Sequence, residues 1–259
     1  MEYAPNTKLH PINRVPHIII LYWIIKIAST TLGETGADMF SMTYDFGYNN
    51  TILIFMGIFS LFLSIKLFIK RYEPITYWLT FTSTAIVGTA ISDYIDRTLG
   101  LGYMMGSVLL IGLLLVILLA WYIHDKTINV EQITNTTSEL YYWGAFLIAN
   151  TLGTAAGDFL ADELKLGFAQ SALIISTTLI MIALAHFYTR ISGVILFWLA
   201  FVLTRPFGAT FGDLLIKTHD KGGLDIGTVG SSLFFAIVLI LAVIREIYVE
   251  RKKVINELD

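Results

Sequence analysis

Residues 22–38 read YWIIKIASTTLGETGAD, and this stretch decides the fold because its anchors return three more times along the chain. Trp23 is followed ten residues later by Gly33 and five after that by Asp38. The same spacing runs through Trp78, Gly88 and Asp93, through Trp143, Gly153 and Asp158, and through Trp198, Gly208 and Asp213. An aromatic residue precedes each Trp: Tyr22, Tyr77, Tyr142 and Phe197. Four unbroken copies of W-x9-G-x4-D identify a repeat architecture before any other feature is weighed.

The residues around the anchors are apolar. The chain of 259 residues is 56% hydrophobic and 14% charged, with a mean hydropathy of +0.71, as expected of an integral membrane protein. A bilayer crossing takes about 20 apolar residues. Such segments lie at 16–38, 51–69, 75–95, 103–123, 141–160, 168–188, 191–215 and 228–247. The sequence therefore predicts an all-α membrane protein of eight transmembrane helices, two per repeat. They form one domain over 1–259, with repeats at about 16–70, 71–126, 140–190 and 191–248. Two crossings return the chain to its starting side, so the repeats are parallel and share a pseudo-symmetry axis along the membrane normal, unlike the inverted repeats of many transporters. A Gly-aromatic pair opens the second span of three repeats (Gly47-Tyr48, Gly102-Tyr103, Gly167-Phe168), and Gly227-Thr228 follows an insertion in the fourth.

Several classes are disfavoured. The absence of cysteine removes disulfides, thiolate nucleophiles and Cys-based metal sites. The first apolar segment is long, is interrupted by Lys26 and lacks a small-residue cleavage site, so it does not read as a signal peptide. No Walker A, H-E-x-x-H, G-x-S-x-G or Rossmann fingerprint occurs, so neither an enzyme nor a cofactor is expected. Lys8, Arg14, Lys66, Lys70, Arg71, Lys126, Arg190, Arg245, Arg251, Lys252 and Lys253 fall on one side of the predicted layer. Arg97, Lys165, Lys217 and Lys221 fall on the other, which puts the Trp ends and both termini in the cytoplasm.

Helical steps of 100° place positions 4, 7, 8, 11 and 15 after each Trp on the same side as the Trp. In the odd spans this stripe collects Thr30, Thr31, Glu34 and Asp38, then Thr82, Thr89 and Asp93, then Asn150, Thr151, Thr154 and Asp158, then Arg205 and Asp213. The even spans hold no Asp, Glu, Lys, Arg or His over 51–65, 103–123, 168–185 and 228–244. The odd helices are thus expected to line a polar interior and the even helices to face lipid. Acids within a membrane face an interior, a cavity or a partner. Carboxylates with hydroxyl and amide oxygens suit hard cations or protons: Mn²⁺, Mg²⁺, Ca²⁺ or Na⁺.

The candidate ion-binding set is Asp38, Asp93, Asp158, Asp213, Glu34, Thr31, Asn150 and Thr154, with no particular metal selected. Arg205 and Lys26 are the candidate groups that tune the carboxylates. Glu34 and Arg205 each break the repeat pattern and are expected to pair across the interior, while Lys26 is read as a partner for a carboxylate rather than a Schiff-base lysine. The shared glycine permits close helix approach or a local helix break, and Pro206 favours a break in the fourth repeat. The tryptophans are read as interface anchors, with a gating role as the alternative.

The functional expectation is a multi-pass cation transporter or exporter, proton-coupled through one of the acids. The alternatives are a cation channel with an Asp ring, or a structural or sensory membrane protein without transport. The expected partners are the lipid bilayer and a small inorganic cation or proton, with a homo-oligomer as a further option and no nucleic acid.

From about Pro16 to Tyr248, the four W-x9-G-x4-D anchors and the segment KIASTTLGETGADMF resemble a bacterial family of membrane-anchored proteins built from four tandem copies of a repeat of unknown function. The resemblance implies a bacterial or archaeal inner-membrane protein and lends no activity. The hexapeptide GETGAD is similar to the acidic-glycine motifs of cation exchangers built from two repeats.

Overall fold

The computed structural model describes residues 14–130 and 133–256, with side chains of the last helix followed to Lys252. Lys8 and the polar tail before Arg14 lie outside the described residues, as does the side chain of Lys253. Eight helices follow one another: α1 Ile20–Asp38, α2 Gly47–Ile69, α3 Pro74–Asp93, α4 Gly102–Asp125, α5 Thr136–Asp158, α6 Gly167–Tyr188, α7 Gly193–Ile216 and α8 Thr228–Asn256. There is no strand among the described residues. Five of the helices, α2, α4, α6, α7 and α8, are long and apolar enough to cross a membrane.

Local chemistry sets the ends of these helices. Pro74 opens α3, where a missing N–H costs nothing, and the Glu73 carboxylate accepts from the Ile75 and Thr76 amides at 3.2 and 2.6 Å. Asn135 caps α5 through the Ser138 amide at 2.8 Å. After Asp38, Asp93 and Asp158 the chain makes one π-helical turn, at Met39–Thr43, Tyr94–Thr98 and Phe159–Glu163. It then reverses into the even helix at Gly47, Gly102 and Gly167, with φ of 68°, 71° and 71°. Only glycine enters that left-handed region without a steric penalty.

The odd helices form a closed ring in the order α1, α3, α5, α7 and back to α1. Each even helix lies outside the ring on the odd helix of the next repeat: α2 on α3, α4 on α5, α6 on α7, and α8 on α1. The repeated glycine is what lets the ring close so tightly. A Cβ at Gly33 would stand 2.5 Å from that of Ala85, one at Gly88 2.9 Å from that of Asn150, and one at Gly208 2.6 Å from Thr30 Oγ1; at Gly153 it would meet Arg205. All four neighbours sit seven residues after the Trp of the following repeat. The alternative expectation, a helix break, is not realised: α7 runs unbroken through Pro206 and Gly208. The backbone irregularity comes instead just after the aspartates in the first three repeats. Beyond the last predicted apolar span, which ends at 247, α8 continues through the charged C-terminal stretch as far as Asn256.

Candidate functional site

Four layers of side chains stack along the ring axis, each built from one position of the repeat. Nearest the Trp end are the residues just before each Trp, Tyr22, Tyr77, Tyr142 and Phe197, with the Tyr77 and Tyr142 hydroxyls 2.5 Å apart. Val15, Val130 and Ile133 are buried in the same cluster, which closes this end with apolar packing.

The second layer is three residues after each Trp: Lys26, Phe81, Phe146 and Phe201. The Phe146 and Phe201 rings stack with centroids 4.2 Å apart, and Phe81 meets Phe146 edge-on at 5.2 Å. Lys26 takes the place of a fourth ring. Its ammonium lies 3.6 Å from the Phe201 ring centroid and donates to Thr204 Oγ1 at 2.7 Å and to the Phe201 carbonyl at 3.0 Å. The carboxylate partner expected for Lys26 is absent: no ion pair joins it among the described residues.

The third layer centres on Arg205, which reaches every other helix of the ring. Its Nε donates to the Asn150 carbonyl at 3.2 Å, Nη1 to the Thr30 carbonyl at 2.8 Å, and Nη2 to the Ala85 carbonyl at 3.3 Å. Those three carbonyls occupy in repeats 1 to 3 the position that Arg205 itself holds in repeat 4. The two Nη2 hydrogens are shared with further acceptors within reach: Thr154 Oγ1 at 2.8 Å, Thr89 Oγ1, and Glu34 Oε2 at 3.3 Å. The expected Glu34–Arg205 pair therefore exists, fully buried. Burying two charges is costly unless their remaining hydrogen-bonding capacity is met. Much of it is met here, because Glu34 Oε2 also accepts from Thr89 and Thr154, each at 3.2 Å, beside the Arg205 contacts.

The fourth layer holds the aspartates at the far end, each about 2% exposed. Two cations bridge them in pairs. Lys217 Nζ lies 2.7 Å from Asp38 Oδ2 and 3.0 Å from Asp213 Oδ1. Arg97 lies 3.4 Å from Asp93 Oδ1 and 3.3 Å from Asp158 Oδ2. Both cations follow an aspartate of their own repeat by four residues, one helical turn. Hydropathy places them outside the spans, and the Asp-x3-Arg and Asp-x3-Lys spacing is the sequence signal for this contact. Repeats 1 and 3 carry Met42 and Asp162 there, so the ring is charged in a two-fold rather than a four-fold pattern.

The remaining expectations divide. Asn150 is in the site: its amide nitrogen donates to Thr84 Oγ1 at 2.9 Å and its carbonyl accepts from Arg205. Thr154 is in the site, and so is Thr89, which the candidate set lacked. Thr31 is not, because its hydroxyl bonds back to the Ile27 carbonyl of its own helix at 2.9 Å. The tryptophans stand off the axis, and the lining positions are those before and three after them. Trp78, Trp143 and Trp198 are buried behind the ring, with Trp78 Nε1 donating to Glu246 at 2.7 Å and Trp198 Nε1 to the Ile128 carbonyl at 3.1 Å. No group of three or more His, Cys, Asp or Glu able to hold a metal ion forms among the described residues. The acids pair with side-chain cations instead.

The Repeat of Unknown Function (DUF347) matches the chain four times, over residues 21–72, 76–127, 141–192 and 196–252. No curated protein and no solved structure matches the chain.

Proposed function

The chain belongs to the DUF347 repeat family, and from that premise we propose that it is an eight-span membrane protein that carries a small hard cation, coupled to protons through its axial carboxylates. The membrane reading is supported by the inside-out distribution of polarity. Most of the charged and hydroxyl-bearing residues of α1, α3 and α5 are buried, while large apolar residues such as Leu53, Val116, Leu173 and Leu241 are 62–71% exposed on the even helices. In such a bilayer the Trp end and both termini are cytoplasmic, because basic residues concentrate there, and a bacterial or archaeal inner membrane fits the family resemblance.

One observation carries the transport reading: the Lys217 ammonium seated between Asp38 and Asp213. A tethered cation held by two carboxylates occupies the place a free hard cation would take, and Arg97 does the same between Asp93 and Asp158. Binding is then a displacement, which suits a carrier. A continuously open channel is disfavoured, since Arg205 fills the axis one layer deeper and two aromatic layers follow it.

The test is cation flux into proteoliposomes, ion by ion, with and without a pH gradient. Asp38→Asn, Asp213→Asn and Glu34→Gln are each expected to lower flux by about tenfold or more, equivalent to ~1.4 kcal/mol in the step they affect. Unchanged flux in all three would remove these acids from the path. A second reading, a structural or sensory bundle without transport, is favoured by the complete pairing of the four aspartates. It predicts no cation-dependent rise in melting temperature, whereas an ion site predicts one that grows with ion concentration.

A further inference from the structure

The four repeats are not equivalent at their Trp ends. Nineteen residues after the glycine that opens each even helix stand Lys66, Trp121, His186 and Glu246. Three of these are wedged inward. Lys66 is buried against Glu139 at 2.9 Å, Trp121 packs on Trp198 with centroids 6.1 Å apart, and Glu246 accepts from Trp78 Nε1 at 2.7 Å and Tyr72 at 2.6 Å. Each wedge fills the seam between two neighbouring odd helices. His186 is exposed, and the seam it would fill, between α7 and α1, holds a cavity of about 690 Å³.

The walls of that cavity are mostly apolar, with Trp23, Ile27, Phe187 and Trp198 among them, and its polar lining residues are Asn129, His186, Ser192 and Thr204. Trp23 is only partly buried, unlike Trp78, Trp143 and Trp198. Its volume lies within the range of natural ligand sites. At ~30 Å³ for a water-sized unit it holds roughly twenty such units, the scale of one long acyl chain. Exposed basic side chains flank the lining in sequence: His17 precedes Ile18, and Lys126 and Arg190 stand two residues before Ile128 and Ser192. Among the described residues Asp125, beside Lys126, is taken up by Trp121 at 2.7 Å, Ser138 at 2.5 Å and His124 at 2.6 Å.

We propose that the α6–α7–α1 seam is a binding site for an anionic phospholipid, with an acyl chain filling the space that an inserted side chain fills in the other three seams and the phosphate held by Lys126, Arg190 and the neighbouring histidines. The inference rests on the membrane-spanning reading above and is independent of the transport reading. A lipid here covers the aromatic wall that ends at Thr204, the residue that holds Lys26. Occupancy is thus coupled to the packing of the aromatic layers on the axis.

The experiment is native mass spectrometry of the full chain purified in a non-ionic detergent, after incubation with phosphatidylglycerol or with phosphatidylcholine of the same acyl chains. Wild type is expected to retain one phosphatidylglycerol with about tenfold preference. His186→Trp, which installs the side chain that repeat 2 uses, is expected to abolish retention while the melting temperature of the lipid-free protein holds or rises. Ala200→Phe, narrowing the cavity from the opposite wall, gives the same loss by a separate route and serves if the first variant misfolds. Lys126→Ala with Arg190→Ala is expected to erase the preference for the anionic lipid. Equal retention of the two lipids by wild type, or undiminished phosphatidylglycerol on both cavity-filling variants, overturns the proposal. A chain that stays in the aqueous fraction without detergent overturns the membrane reading and this site together; one that behaves as a membrane protein yet retains no lipid overturns the site alone.

Discussion

Arg205 joins all four ring helices through one side chain, and its donors are matched to oxygens that only this geometry brings together. Its removal leaves Glu34 as an uncompensated buried charge, a loss of about 3–5 kcal/mol by the usual cost of breaking a buried pair. Arg205→Met is therefore expected to lower the unfolding midpoint strongly. Arg205→Met combined with Glu34→Gln is expected to recover part of the loss, a coupling that a double-mutant cycle measures. Arg205→Lys is expected to behave more like Met than like Arg, because a single ammonium cannot serve three diverging carbonyls. If the double variant is less stable than the sum of the singles, the pair is not the stabilising unit. This pair was legible in the sequence because each member breaks a four-fold pattern at its own position. Arg97 and Lys217 were not: hydropathy assigns them to loops, and only the turn after each aspartate brings them back over the ring.

At the scale of one helix, the predictions turn on where glycine is required and where it is missing. Gly88→Ala forces a Cβ to within 3.0 Å of the α5 backbone, and overpacking of this kind costs about 1–3 kcal/mol. Gly112→Ala on α4 meets nothing within 4 Å and is expected to be neutral or stabilising by up to ~1 kcal/mol. Melting curves of the two variants in one detergent separate them, and equal shifts would show that the ring glycines are not packing residues. The reverse applies where α2 and α4 end, on Lys70 and Lys126 with φ of 54° and 59°. A non-glycine residue there carries a penalty of about 1–2 kcal/mol, so Lys126→Gly is expected to raise the melting temperature. The limits of the helices could be read from apolar run lengths and the Gly-aromatic turns. The facing of the odd helices could not be read to within one residue: they are buried on most sides, against both the ring and the outer helices, so polarity alone does not distinguish the axis from the seams. The true lining at the Trp end, one residue before and three after each Trp, lies about 60–100° from the helix face that carries the Trp.

Across the whole molecule, each even helix covers the odd helix of the next repeat, and this offset binds the two halves of the chain to each other. The anchors made the two-helix repeats legible, but equal spacing is compatible with an even helix packing on its own repeat or on the next. Nothing in a single sequence chooses between these, since both bury the same residues. The choice has a measurable consequence. Residues 14–130 contain α4, whose partner α5 lies in the second half, and residues 133–256 contain α8, whose partner α1 lies in the first. Each half alone therefore leaves one outer helix and one ring helix without their partners, besides opening the ring at two seams. Expressed separately, the halves are expected to be degraded or to aggregate. Co-expressed, with the chain cut between Val130 and Ile133, they are expected to co-purify as a 1:1 complex whose melting temperature falls short of the intact chain by the loss of one tether. A half that is monodisperse and helical by itself would mean that repeats bury their own even helices, and would contradict the exchanged packing that closes α8 onto α1.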